Sequence, residues 1–293
     1  MHASSSPDYP FGPPPQHLLD RVEHRRPQSM RCHAVVVSRW DARHRVTRLD
    51  RLRGKTPLKP RPINPSGFEP LVGGDPGAAR VSVAASAAGP LGGDLHVLDI
   101  VVGAGSALVL SDVSATLLLP GPHGERSRTL IRVRVEPRAT LTWIPHPLIA
   151  ASGCFHDQRV EIDLDQEARL FYREEIVLGR AREAAGNLRS HLVVRRGGTP
   201  LTAQELRLGP AFPLAATPSV LGGHRCVGTT LAVDPVGITP STRLPAPLTA
   251  VMTLDGTAVQ ATALADDMLA LRSRLDAAGR ACGTRFGAEH HRT

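Results

Sequence analysis

Val135-Glu136-Pro137-Arg138-Ala139-Thr140-Leu141-Thr142-Trp143 packs a strand end, a three-residue turn and a strand start into nine residues. Upstream, Ile131, Val133 and Val135 alternate with Arg132 and Arg134, the period-two signature of a strand with one apolar face. The phrase recurs. Val102, a Gly103-Ala104-Gly105 turn, then Ser106, Leu108 and Leu110 form one copy. Leu164, an Asp165-Gln166-Glu167 turn, then Ala168, Leu170 and Tyr172 form another. Val194, Thr199 and Leu201 give a fourth, with a turn one residue longer. The copies begin at residues 102, 135, 164 and 194. A fixed period of strand–turn–strand units predicts stacked layers of sheet, because one unit cannot bury its apolar face alone. Such arrays serve as surfaces for other proteins more often than as catalytic pockets.

Working outward, Arg80–Ala88 and Asp94–Val102 alternate as strands around the turn Gly89-Pro90-Leu91-Gly92-Gly93-Asp94. Gln158–Leu164, Ala168–Leu178, Leu188–Arg195 and Leu201–Leu208 continue the pattern, and Leu231-Ala232-Val233 is a short strand in a loop-rich stretch. Thr262–Ala278 places Leu264, Met268, Leu271 and Leu275 at helical spacing, with Thr262 as cap and Gly279 as stop. The predicted fold is mainly β, a β-helix-like stack with a few peripheral helices, one of them near the C-terminus.

The chain has 293 residues and a net charge of +8. Residues 1–66 hold 13 Lys/Arg against 5 Asp/Glu, while residues 67–293 hold 22 of each. The surplus, together with a proline-rich composition, predicts a poorly ordered basic extension over 1–66 and a folded body over 67–293. Such an arm suits an acidic surface or nucleic acid, though a body with few aromatics disfavours base stacking. No apolar run reaches the length of a membrane helix and the N-terminus lacks a signal pattern, so cytoplasmic residence is expected. Cys32, Cys154, Cys226 and Cys282 show no CxxC spacing and read as reduced thiols. Signatures of a nucleophile elbow, a zinc-binding HExxH and a phosphate loop are missing, which argues against an enzyme.

Several phrases carry a family resemblance. Gly92-Gly93-Asp94, Trp143-Ile144-Pro145-His146-Pro147, Asp157-Gln158-Arg159, Glu174-Glu175-Ile176-Val177-Leu178-Gly179-Arg180 and the Leu192–Leu201 strand pair occur in the order and spacing of the urease accessory protein D family (UreD, also called UreH). The match covers roughly residues 80–210. After Leu110 the family has a Thr/Ala-rich phrase ending in a basic and an aromatic residue. Ser114, Ala115 and Thr116 fit it, but the basic and aromatic positions do not, so the chain resembles a divergent member.

The resemblance implies a non-enzymatic scaffold for nickel insertion into urease apoprotein. It also implies a complex with accessory protein F and, through F, the GTPase accessory protein G. It implies no tightly bound cofactor; nickel would pass transiently through the D subunit. Asp94, Asp157 and Glu174 are the candidates for a polar passage. Each has a simpler reading: Asp94 as a turn cap, Asp157 as the partner of an arginine, Glu174 as the partner of Arg180 or Arg132. Glu175, on the opposite face, is expected to be solvated. His146, Cys154 and His156 are weaker candidates for a borderline metal, and His290-His291 for a surface metal. Two further readings are an acidic-surface or nucleic-acid module worked by the arm, and a hydrolase built on Asp94, Asp157 and Glu174, which needs two of them facing each other across a cleft. The low charge of residues 97–124 is read as an apolar partner surface.

Overall fold

In the computed structural model, residues 10–13, 29–65, 69–238 and 247–281 are described. The repeated phrase is the generator of the architecture. β5 (Leu95–Val102), β8 (Ser127–Val135) and β11 (Phe155–Leu164) each end at the first residue of a copy and lie side by side, parallel, in one sheet. β6 (Ala107–Asp112), β9 (Thr140–Ile144) and β12 (Arg169–Leu178) begin just after each turn and lie parallel in a second sheet. Each turn thus carries the chain from one sheet to the other, and stacked turns make a two-sheet solenoid.

Register follows from the phrase. Val102 stands beside Val135, which stands beside Leu164. Across the core Leu108, Leu141 and Leu170 form a ladder, and Leu110, Trp143 and Tyr172 form the next. Trp143 and Tyr172 meet with ring centroids 4.9 Å apart. The small residue after each turn, Ser106, Ala139 or Ala168, is buried at the corner, where a larger side chain has no room. The corners are also bonded to one another: Glu136 N–H donates to Val102 O, Asp165 N–H to Val135 O, and Gly197 N–H to Leu164 O.

The fourth copy departs from the expectation. β13 (Asn187–Arg196) joins the first sheet beside β11, but β14 (Thr199–Leu208) folds back antiparallel onto β13 instead of crossing to the second sheet. The extra turn residue decides this. Gly197 and Gly198 adopt φ of 55° and 82°, as a two-residue hairpin turn matching strand twist requires. The hairpin ends the repeat, and β14 is one edge of the first sheet.

The sheet orders are β14-β13-β11-β8-β5 followed by β1 (Arg31–Asp41) and β2 (Val46–Arg53), and β16 (Thr249–Thr253), β17 (Ala258–Ala265), β15 (Cys226–Val233), β12-β9-β6, β4 (Ala79–Ala85) and β3 (Leu58–Pro62). Short strands β7 (Thr116–Leu118) and β10 (Leu148–Ala150) pair with each other, and β10 also pairs with β12. Residues 31–62 are therefore not a loose extension. β1 pairs in parallel with β5, and β3 pairs with β4. Ala34 and Val36 are fully buried in the main core. The charge count misled because arginines on the exposed faces of β1 and β2 look, in composition, like those of a tail; ten of the thirteen basic residues before 67 lie in 31–62. Likewise the low charge just after residue 97 belongs in part to core, since every residue of β5 is buried.

The helix α1 (Met268–Ala281) is shorter at its start than its apolar spacing suggested. Thr262 and Leu264 belong to β17, and the helix continues through Gly279. Leu271 and Leu275 pack it onto the second sheet. They meet β15 at Gly228, where an added Cβ would stand 2.6 Å from Leu275 Cδ1. Cys32, Cys154 and Cys226 are buried free thiols. Cys282 and the His290-His291 pair lie outside the described residues. No described helix is long and apolar enough to cross a membrane.

Candidate functional site

The ladders that stack Val on Val also stack polar on polar. One register row toward the start of the first sheet, His96, Thr129, Gln158 and Ser190 stand side by side on β5, β8, β11 and β13. By alternation they share the inward face with the core residues Leu98, Ile131, Val160 and Leu192. Across from them, two residues beyond Leu110, Trp143 and Tyr172, the second sheet presents Asp112, Pro145 and Glu174. Between these rows lies a cavity of about 90 Å³, lined also by His146 and His156. Its walls are mostly apolar, and these polar side chains are set into them.

Glu174 bridges the rows. Its side chain is buried, and Oε1 accepts from Gln158 Nε2 at 3.0 Å and from Ser190 Oγ at 2.9 Å. Neither arginine expected beside it is there. Arg180 pairs with Glu183, and Arg132 pairs with Asp99 on the opposite face of the first sheet. Burial pushes the Glu174 carboxyl up, against the opposing pull of bonds from Ser190, Gln158 and Tyr172. Asp112 is pushed up to about 7 by burial, offset only by the His146 backbone N–H. His156 is pushed down to about 3, by burial first and then by His96, and His96 is also lowered by burial. Ser127 Oγ lies 2.8 Å from His156 Nδ1. Nε2 of His96 and of His156 are both buried without a hydrogen-bond partner among the described residues. The cavity therefore offers neutral imidazole nitrogens and carboxyl groups whose charge is held in check. These are donors that a water chain or a borderline divalent cation can use.

The other candidates divide. Asp94 is a turn cap: Oδ1 accepts the Met30 N–H at 2.7 Å and Oδ2 the Leu91 N–H at 2.9 Å. Asp157 points to the outer face of the first sheet, out of the cavity, and accepts from Arg126 at 3.0 Å. Asp157 and Glu174 lie on separate faces, so these two do not face each other as a carboxylate pair. Cys154 packs among apolar residues beside Ala150 and Leu188, away from the cavity, while His146 is exposed at its rim. No three His, Cys, Asp or Glu side chains among the described residues gather into a group able to hold a metal. Glu175 is not solvated: α1 covers it, and Arg272 Nη2 donates to it at 3.0 Å.

Reading residue by residue missed His96, Thr129, Ser190 and Asp112, yet the period contains all of them but Ser190. Positions 96, 129 and 158 each lie six before the first residue of a copy, and 112 and 174 each lie ten after one.

Residues 32–292 match the family described as UreD urease accessory protein. The chain belongs to the UreD family. A Urease accessory protein UreD of Parafrankia sp. is 41% identical over 252 residues, covering 79% of this chain and 82% of the relative. Urease accessory protein UreD 2 of Saccharopolyspora erythraea is 39% identical, covering 87% and 89%. The UreD protein of Streptomyces avermitilis is 38% identical, covering 85% and 96%. Membership fits the β-solenoid, and it makes the chain an accessory protein of urease.

Proposed function

We propose that this chain is a scaffold for nickel insertion into urease apoprotein, acting in the cytoplasm in a complex with accessory proteins F and G. In this reading it does no catalysis, and nickel is cargo. The observation that carries the reading is the set of buried polar side chains around the cavity between the two sheets. A solenoid gains stability by filling its interior with apolar ladders, and a buried carboxyl without a cationic partner costs stability. Glu174, Asp112, His96 and His156 spend stability on an interior that a purely structural protein would fill with leucine. Neutral imidazoles and bridled carboxyls bind a divalent ion weakly and in succession, which is what transit requires and storage does not.

The test is the nickel content and activity of urease co-expressed with all accessory proteins, with and without this chain. Both should fall when it is omitted. Glu174→Gln keeps the hydrogen-bonding shape and removes the titrating group. It should lower nickel per urease several-fold while leaving this chain folded and in the complex. Equal nickel loading in its absence would refute the scaffold reading; normal loading by Glu174→Gln would refute the passage alone.

A further inference from the structure

The outer face of the first sheet carries a second stacked feature, a groove of about 410 Å³. Two register rows build it. One runs Leu95, Arg128, Asp157, Arg189, Arg207 across β5, β8, β11, β13 and β14. The next runs Leu130, Arg159, His191, Glu205 across β8 to β14. With Arg126, five arginines face two carboxylates, Asp157 and Glu205. Strand stacking brings Arg128, Arg189 and Arg207 into one register row, with Asp157 between the first two, at the ~4.8 Å spacing of strands.

These arginines are held in place. The Arg126 guanidinium lies 3.9 Å from the centre of the Phe155 ring and donates to Asp157. Arg207 Nε donates to Glu205 at 2.7 Å, and Arg159 Nη1 lies 2.9 Å from His191 Nδ1. Burial, then Arg159, lowers the His191 pKa and favours the neutral acceptor. Held guanidinium forks lose little freedom on meeting a carboxylate, and they match its geometry. The floor is apolar, formed by Leu95 and Leu130. One further atom bears on the ligand: Asp157 Oδ1 is buried in the groove with no hydrogen-bond partner among the described residues. A ligand that satisfies it must bring a hydrogen-bond donor, such as a backbone N–H, as well as negative charge.

We propose that this groove binds an extended acidic peptide segment of a partner protein, its carboxylates on the arginine row and a backbone N–H on Asp157. Five strands span about 19 Å, the length of roughly six extended residues. A nucleic acid fits less well. The phosphodiester backbone of DNA has no hydrogen-bond donor to give to Asp157, whereas a peptide backbone does. The proposal concerns a different face from the cavity and does not depend on nickel transfer.

The experiment uses the full chain and a fluorescein-labelled hexaglutamate peptide, read by fluorescence anisotropy. Saturable binding is expected. Arg189→Gln and Arg207→Gln should each weaken it by roughly tenfold, as loss of a charge-assisted hydrogen bond does. Arg207 lies on an edge strand, so its variant keeps the test valid if Arg189→Gln perturbs folding. A melting curve on each variant reports that directly. A short DNA duplex at equal charge concentration should compete poorly. No saturable binding, binding unchanged in Arg207→Gln, or displacement by the duplex as effective as by unlabelled peptide would each overturn the proposal.

Discussion

Asp99 and Arg132 show how much depends on single residues away from the cavity. Asp99 is fully buried and receives Arg132 Nε at 2.8 Å and Nη2 at 2.9 Å. Arg132 also donates to the Gly12 carbonyl, and Phe11 stacks near it and Arg134, so the segment around Pro10–Pro13 rests on this face. Arg132→Met would leave a buried carboxylate with a lost partner. It should cost about 3–5 kcal/mol in denaturant unfolding, and much of that should return in the Asp99→Leu/Arg132→Met double variant. Asp112 makes a pH prediction. Its ordinary value is 3.8 and the folded protein raises it to about 7. The unfolded chain ionises first as pH rises, so the stability tied to the protonated carboxyl is complete below about 4. It is lost progressively toward pH 7. Asp112→Asn should therefore raise the unfolding free energy more at pH 8 than at pH 4, by an amount on the order of 2 kcal/mol after allowance for partial exposure. An equal shift at both pH values would mean that the carboxyl is not desolvated.

At the scale of elements, α1 is the least repetitive part and the most dependent on one contact. Gly228 lacks the Cβ that would press on Leu275, Leu271 and the Glu174 carbonyl oxygen. Gly228→Val should lift the helix from the sheet and uncover Glu175. Hydrogen exchange would then show lost protection over 268–281 with the ladders of β5, β8 and β11 still protected. Protection lost everywhere would instead mean that the helix and the solenoid are one cooperative unit. The hairpin from β13 to β14 teaches a related lesson about reading patterns. Its apolar and small positions copied the repeat, but one added turn residue and the Gly197-Gly198 pair changed a sheet-to-sheet corner into a reversal. A turn's length and handedness overrode the side-chain pattern around it.

For the whole molecule, the two sheets are held together by contacts between residues far apart in sequence, as parallel stacking demands. Refolding should therefore be slow, in the range of seconds or longer in a stopped-flow experiment, as for other non-local β topologies. Deleting residues 1–66 is the sharper test. If that region were a solvated arm, the deletion would be harmless. Because β1 covers the edge of β5 and β3 covers the edge of β4, removal exposes two long apolar edges. The truncated chain should then be insoluble. A soluble truncation with a wild-type melting temperature would remove β1 and β3 from the folded unit.

Local patterning determined a good deal on its own. Period-two alternation gave the strands, the recurring turn gave the stacking, and the phrases around Asp94, Trp143 and Glu174 gave the family, because these depend on residues within a few positions of one another. What only the tertiary structure decided depends on partners sixteen or more residues away. Glu174 met Gln158 and Ser190 instead of an arginine because register chooses partners across strands. Asp157 left the cavity because alternation places it opposite His156 and Gln158. Glu175 became buried because a helix roughly a hundred residues later lies over it. In a solenoid the ladder, not the sequence neighbour, is the environment of a side chain, and a ladder exists only once the turns have stacked.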